Sequence, residues 1–302
     1  MLKNMDIIAN LSLDEKLSIL TNGTFFSTPR EGMPTFSMTD VDTLNQTAGD
    51  VVYPSFQALV NTWDADAVNY VAKQMAKRAL EKEIPAVFLP KSNVRSNVYS
   101  DGASEDPYLL GKMAGEYAKT MEKHGVTPIF STCALSELDV EYADVQPNAK
   151  AIFEYYLKGF RLAMKECEHF AVASAYTPLK GEYEKINVEF VREMIERNIA
   201  GKDAFVLSER TQHEGELECL KAGYTLCLNG DAHVLKEAVA YYNDLLNLVE
   251  SGEAGVEELE GAISDGYAVS EDVIDEAVDG VLDFVNRCVT MRRFMENLWE
   301  RG

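Results

Sequence analysis

The stretch SEDPYLLGKMAGEYAKTMEKHGVTPIFS, residues 104–131, holds one complete helix-and-strand unit and sets the rhythm of the chain. Asp106 is placed to cap the helix, since a carboxylate there accepts from orphan backbone N–H groups, and Pro107 suits a first position that needs no donor. Leu110, Met113, Ala114, Tyr117 and Met121 recur at three- and four-residue steps, which puts them on one face, and Gly125 ends the run. The β-rich segment VTPIFS (126–131) follows as a strand.

The alternation extends in both directions. TFSMTD (35–40), AVFLP (86–90), FAVASAY (170–176), AFVLS (204–208) and YTLCLN (224–229) read as further strands. In DADAVNYVAKQMAKRALEKE (64–83), Val68, Val71, Ala72, Met75, Ala76 and Ala79 make one apolar helix face. Other helices are expected near 149–166, 188–198, 233–250 and 271–297, the last opening with Ser270 ahead of Glu271 and Asp272. No linker or low-complexity segment interrupts them, so residues 1–302 read as one domain.

Strands that alternate with helices over this length point to the α/β class, and to a TIM-type (β/α)8 barrel with irregularities rather than an open doubly wound sheet. Neither G-x-G-x-x-G nor G-x-x-x-x-G-K-[ST] occurs, so no dinucleotide or P-loop site, and no other cofactor, is expected. A barrel gathers its chemistry at the C-terminal ends of its strands. That end collects Asp40, Pro90 to Asn93, Ser131 to Ser136, Tyr176, Glu209 and Asn229.

Charge and cysteine usage narrow the partners. Asp and Glu number 50 against 28 Lys and Arg, a formal charge of -22, which repels nucleic acid and anionic membrane surfaces. The acidic run ESGEAGVEELEG (250–261) reads as solvated surface. The 5 cysteines are odd in number and lack a C-x-x-C pair, so neither a disulfide framework nor a metal site is expected and a cytoplasmic, reducing setting fits. MLKNMDIIANLSLDEKL (1–17) is a polar helical pattern rather than a signal sequence, and no run of about 18 apolar residues is present.

The order of segments resembles the N-terminal barrel domain of the family 3 glycoside hydrolases, the β-glucosidase-like enzymes. LSLDEKLSILTNG (11–23) is similar to that family's first helix, and PREGMPTFSMTD (29–40) to its P-R-L-G-I-P-x-x-x-x-T-D segment. Pro54, Ser55, Thr62, Trp63 and Asp64 match P-S-x-x-x-x-A-x-T-W-D, and residues 104–126 reproduce S-E-D-P-x-L-x-G with its helix and glycine. EYYLKGF (154–160), SAYTPLKG (174–181), AFVLSE (204–209) and CLKAGYTLCLNG (219–230) resemble E-I-Y-L-P-P-F, S-A-Y-N-x-x-N-G, G-F-V-V-S-D and A-G-x-D-x-x-M-P-G in turn.

The resemblance implies retaining hydrolysis of β-linked sugars, which needs two carboxyl groups roughly 5 to 5.5 Å apart. Glu209 stands where the family carries its nucleophilic Asp, and Arg210 where it carries the following Trp. An extra methylene displaces the carboxylate by roughly 1 Å, a shift that costs about a hundredfold in such sites. Asp40 is kept, but Val41, Asp42 and Gln46 occupy the Gly, Pro and Arg positions of T-D-G-P-x-G-x-R. Val98 and Asp101 replace the Arg and Glu of G-R-x-F-E, Ser131 and Thr132 replace Lys-His, and Thr177 and Pro178 follow Tyr176 in place of Asn-Arg. Each hydrogen bond to an ionised partner contributes about 1.5 to 3 kcal/mol, so these changes remove most of the recognition of a sugar.

The acid/base also lacks a clear candidate, and no second domain is expected from the sequence as it stands. STCALSELDVEYADVQPNAK (131–150) has no histidine; its Glu137, Asp139, Glu141 and Asp144 read as an acidic solvated loop, with a substitute acid/base among them as the alternative. His124 reads as a helix end, His169 as an exposed strand lead-in and His233 as a helix start; only His213 falls near the proposed mouth. Trp63 with Asp64 reads as a packed strand-to-helix junction. The expectation is a family 3-like homologue with its catalytic and binding set largely lost, Glu209 at the nucleophile position and Asp40, Asp101, Tyr176 and Arg210 as ligand-side residues. Its partner is a carbohydrate, a sugar-like small molecule or a protein; the alternative is an active O-glycosyl hydrolase that uses Glu209.

Overall fold

The computed structural model describes residues 3–21, 25–26, 36–46, 51–95, 102–133, 148–174, 205–209, 217, 220, 226–228 and 230–288. Its strands are β1 (Phe25–Phe26), β2 (Phe36–Asp40), β3 (Ala86–Phe88), β4 (Thr127–Cys133), β5 (Ala171–Ser174), β6 (Phe205–Glu209) and β7 (Leu226–Leu228). β1 pairs antiparallel with β2 at one edge, and β2 to β7 run parallel in chain order. A doubly wound sheet reverses its order at a switch point. The described order has no reversal, so the winding is that of a barrel.

The helices are α1 (Met5–Ile8), α2 (Leu13–Thr21), α3 (Val41–Asn45), α4 (Phe56–Thr62), α5 (Ala65–Glu81), α6 (Pro107–Lys123), α7 (Ala149–Ala151), α8 (Lys158–Met164), α9 (Ala232–Ser251), α10 (Val256–Ser264) and α11 (Glu271–Arg287). A π-helical turn, Ile152–Tyr156, separates α7 from α8. The helix expected near 188–198 lies outside the described residues, as do residues 289–297 of the last one.

Strand alternation divides the core in two. Val87, Leu89, Phe130, Val172 and Val206 point to one side, where they pack with the stripes of α5, α6 and α8. Phe36, Met38, Ala86, Phe88, Ile129, Ala171, Ala173, Phe205 and Leu207 take the other side, joined by α2, α9 and α11. Small Ala86, Ala171 and Ala173 lie among large Phe36, Phe88 and Phe205, as interdigitation requires.

Among the described residues no strand pairing joins β7 to β1 or β2, so the expected eightfold closure is replaced by an open arc. Side chains span it instead. Phe284 of α11 stacks on Phe205 with ring centroids 4.3 Å apart and meets Phe36 edge-on at 5.8 Å, which ties β6 to β2. Lys16 of α2, itself buried, reaches Glu271 at 2.8 Å and Asp275 at 2.6 Å on α11. At the N-terminal end, Asp279 accepts from the backbone N–H groups of Lys3 and Asn4 and from the Asn4 amide.

The opening unit has the expected form: Asp106 accepts from the N–H of Tyr108 at 2.8 Å, Pro107 starts α6, and Gly125 follows at φ 90. α6 and α8 approach closely because Gly111 faces Gly159; a Cβ on Gly111 would lie 2.7 Å from the Gly159 carbonyl. Trp63 departs from expectation. It ends α4 in the left-handed region at φ 59 and is 74% exposed, so the junction joins two helices and leaves the indole outside the core. Asp64 does cap the next helix, accepting from Asp66 and Ala67.

Candidate functional site

The C-terminal strand ends bring Asp40, Ser92, Asn93, Ser131 and Glu209 to one edge of the sheet. Asp40 closes β2 and immediately caps α3. Its Oδ1 accepts from the Thr43 N–H at 2.6 Å and its Oδ2 from the Thr43 hydroxyl at 2.7 Å. Both carboxylate oxygens are thus held by the helix that follows, although Asp40 remains exposed.

Val41 and Leu44 turn the buried side of α3 into the outer core. Asn45 pins the chain beyond it by exchanging bonds with the Tyr53 backbone, at 2.8 and 2.9 Å. Below, Asp42, Asn45, Ser55, Phe56, Pro90 and Tyr117 enclose a cavity of about 10 Å³. That holds at most about one water, far below the several hundred Å³ of a ligand pocket. Burial, with the Asp42 charge nearby, pushes the Tyr117 phenol far above its ordinary value, so it stays a neutral hydroxyl.

The chain beyond β3 is packed in. Ser92 and Asn93 are buried rather than facing an open mouth, and a Cβ on Gly159 would lie 3.5 Å from the Ser92 carbonyl. The Ser92 hydroxyl donates to the Pro90 carbonyl at 3.3 Å. The loop beyond returns through a bridge between Val94 and Ser104. Asp101, inside that loop, lies outside the described residues.

β4 runs two residues beyond its expected end and contains an irregularity. Phe130 pairs with Val172, but the next pair is Cys133 with Ser174, so β4 holds one extra residue. Ser131 and Thr132, at the Lys-His positions of the resemblance, lie within this bulge. Glu137, Asp139, Glu141 and Asp144 lie outside the described residues.

Glu209 is the last residue of β6, in register with Leu228, at a position of the same parity as Phe205 and Leu207. Asp40 is in register with Phe88, Phe88 with Ile129, Ile129 with Ala171 and Ala171 with Phe205. Glu209 therefore stands four residues further along its strand than the register level of Asp40, about 13 Å. Strand tilt in a barrel produces such a stagger. Tyr176, Arg210, Asn229 and His213 lie outside the described residues.

The remaining histidines are away from these strand ends. His124 ends α6 with Nδ1 2.8 Å from the Thr120 carbonyl oxygen, and His233 is exposed in the first turn of α9. His169 is half-buried rather than exposed, because Glu122 accepts its backbone N–H at 2.6 Å and the end of α11 lies against it. Among the described residues no three His, Cys, Asp or Glu side chains cluster as a metal site. No described helix is long and apolar enough to cross a membrane.

Comparison with known proteins accounts for this architecture. β-Glucosidase B of Emericella nidulans is 26% identical over 294 residues, covering 92% of this chain and 32% of the relative. Thermostable β-glucosidase B of Acetivibrio thermocellus is 24% identical over 242 residues, covering 73% and 32%. The chain thus spans about a third of the length of these relatives. β-Glucosidase 3B of Thermotoga neapolitana, solved with α-D-glucose, superposes with a TM-score of 0.72 at 23% identity, covering 97% of this chain and 44% of that one. The shared fold is a TIM-like barrel. Residues 6–265 match the family described as the glycosyl hydrolase family 3 N-terminal domain, and the chain belongs to that family.

Proposed function

We propose that this chain is a family 3 barrel whose glycosidase chemistry has been dismantled and that it serves as a non-hydrolytic binder of a sugar-like molecule or a partner protein. The observation that carries the reading is Asp40. The residue that corresponds in the resemblance to the family's sugar-gathering Asp is here engaged through both oxygens by Thr43. The replacement of charged donors by Val98, Ser131, Thr132, Thr177 and Pro178 supports it. Buried thiols at Cys167 and Cys288 support a reducing, cytoplasmic setting.

Aryl β-glucoside, xyloside, galactoside and N-acetylglucosaminide assays are expected to give no turnover above a Glu209→Gln control. Calorimetric titration with the same sugars separates small-molecule binding from a protein-only role. Turnover abolished by Glu209→Gln overturns the proposal.

One observation favours a second reading. Glu209 ends a regular parallel strand, which supports its equivalence to the family's nucleophile. On this reading the protein is an active O-glycosyl hydrolase, and a 2-fluoro sugar traps a covalent adduct on Glu209. Absence of adduct across the four sugar classes removes it.

A further inference from the structure

Helices α9 and α10 pack together as a hairpin that turns at Gly252. The pair has its own small core of Leu245, Leu259, Ala262 and Ala268 and is a built unit. Its outer side carries large apolar side chains: Tyr267 is 67% exposed and Tyr241 45%. Val234, Ala238, Tyr241, Tyr267 and Leu217 line an open groove of about 430 Å³, with Glu237 among its walls.

The helix pair that supplies most of the groove is acidic. Residues 230–266 contain nine Asp or Glu against one Lys and no Arg, and that lysine, Lys236, is engaged by Asp14 at 2.7 Å. An apolar groove on an acidic helix pair has a definite complement. We propose that it docks a basic amphipathic helix of another polypeptide, with apolar anchors between Tyr241 and Tyr267 and lysines or arginines facing the carboxylates. A second copy of this chain brings its own charge of -22 and is repelled, and an anionic membrane is repelled for the same reason. The groove is lined by different residues from the strand ends, so the proposal stands whether or not glycosides are turned over.

The test is fluorescence anisotropy on the full chain with labelled probes about 18 residues long, five helical turns. One probe is a helix with Leu on one face and Lys on the other, the second has the same composition scrambled, and the third carries Glu in place of Lys. The Leu/Lys helix is expected to bind at least about tenfold tighter than either control, and the Tyr241→Ser/Tyr267→Ser variant to weaken it about tenfold. Tyr70→Ser, an exposed tyrosine on α5, is expected to leave binding unchanged. Glu237→Arg, an exposed site that does not threaten folding, is expected to weaken it, and circular dichroism checks each variant's fold. Equal affinity for the scrambled probe, or indifference to both the tyrosine pair and Glu237, overturns the proposal. So does self-association in light scattering that disappears with the tyrosines.

Discussion

The α6–α8 region and the β2–α3 corner both carry patterns shared with family 3, and an aspartate caps a helix in each. In the first, Asp106, Pro107 and Gly125 shape a helix that packs on the outer core. In the second, Asp40 performs the same service for α3, where the family resemblance implies contact with sugar. The difference lies in what surrounds each residue. Asp106 faces its own helix alone, and Asp40 has Thr43 as partner at the end of β2.

Four experiments break or sharpen this comparison. Phe130, fully buried and edge-on to Phe170 at 5.6 Å, belongs to the first region, and Phe130→Ala is expected to cost about 3 to 5 kcal/mol by urea denaturation. Gly111→Ala forces α6 away from the Gly159 backbone, with an expected loss of about 1 to 3 kcal/mol in the same measurement. Asp40→Ala removes a cap and is expected to cost about 0.5 to 2 kcal/mol without altering titration by glucose. Unchanged stability with lost glucose binding reverses the contrast and makes Asp40 a ligand residue.

The smallest effects are in the pH dependence of the clasp between the two chain ends. Burial lowers the Lys16 pKa, but the hydrogen bonds and charges of Asp275 and Glu271 outweigh it and hold the amine above its ordinary value. A raised folded pKa makes the contribution complete below the unfolded value of about 10.4 and removes it as pH rises through the folded value. Asp279 runs the other way: burial raises its pKa, but donors from Lys3 and Asn4 and the Lys3 charge outweigh it and lower the carboxyl. Its contribution is present above the unfolded value of about 3.9 and is lost as pH falls through the lower folded one. Urea midpoints across pH are expected to converge for wild type and Lys16→Met at the alkaline end, and for wild type and Asp279→Asn at the acid end.

Among the described residues local periodicity is legible in the sequence. All six residues of the Val68 to Ala79 stripe are buried, and α9 and α11 start within one residue of expectation. What escaped depends on contacts distant in sequence. The run at 250–261 was read as surface, and its glutamates are exposed, yet α10 forms because Leu259 and Ala262 meet Leu245. The π turn at 152–156, the bulge in β4 and the exposed Trp63 follow from backbone geometry that no side-chain pattern encodes. At the strand ends, residue identity places Asp40 and Glu209, but the capture of Asp40 by Thr43 belongs to the folded chain.

The bond between Asn4 and Asp279 joins residues 275 positions apart. At synthesis rates of about 5 to 20 residues per second, Asn4 waits roughly 14 to 55 s for its partner to be made. Over the same interval Leu17, Ile19 and Leu20 of α2 lack the α11 surface that later covers them. The native packing of α2 against α11 is therefore a late contact, formed only once residues 271–287 have been made.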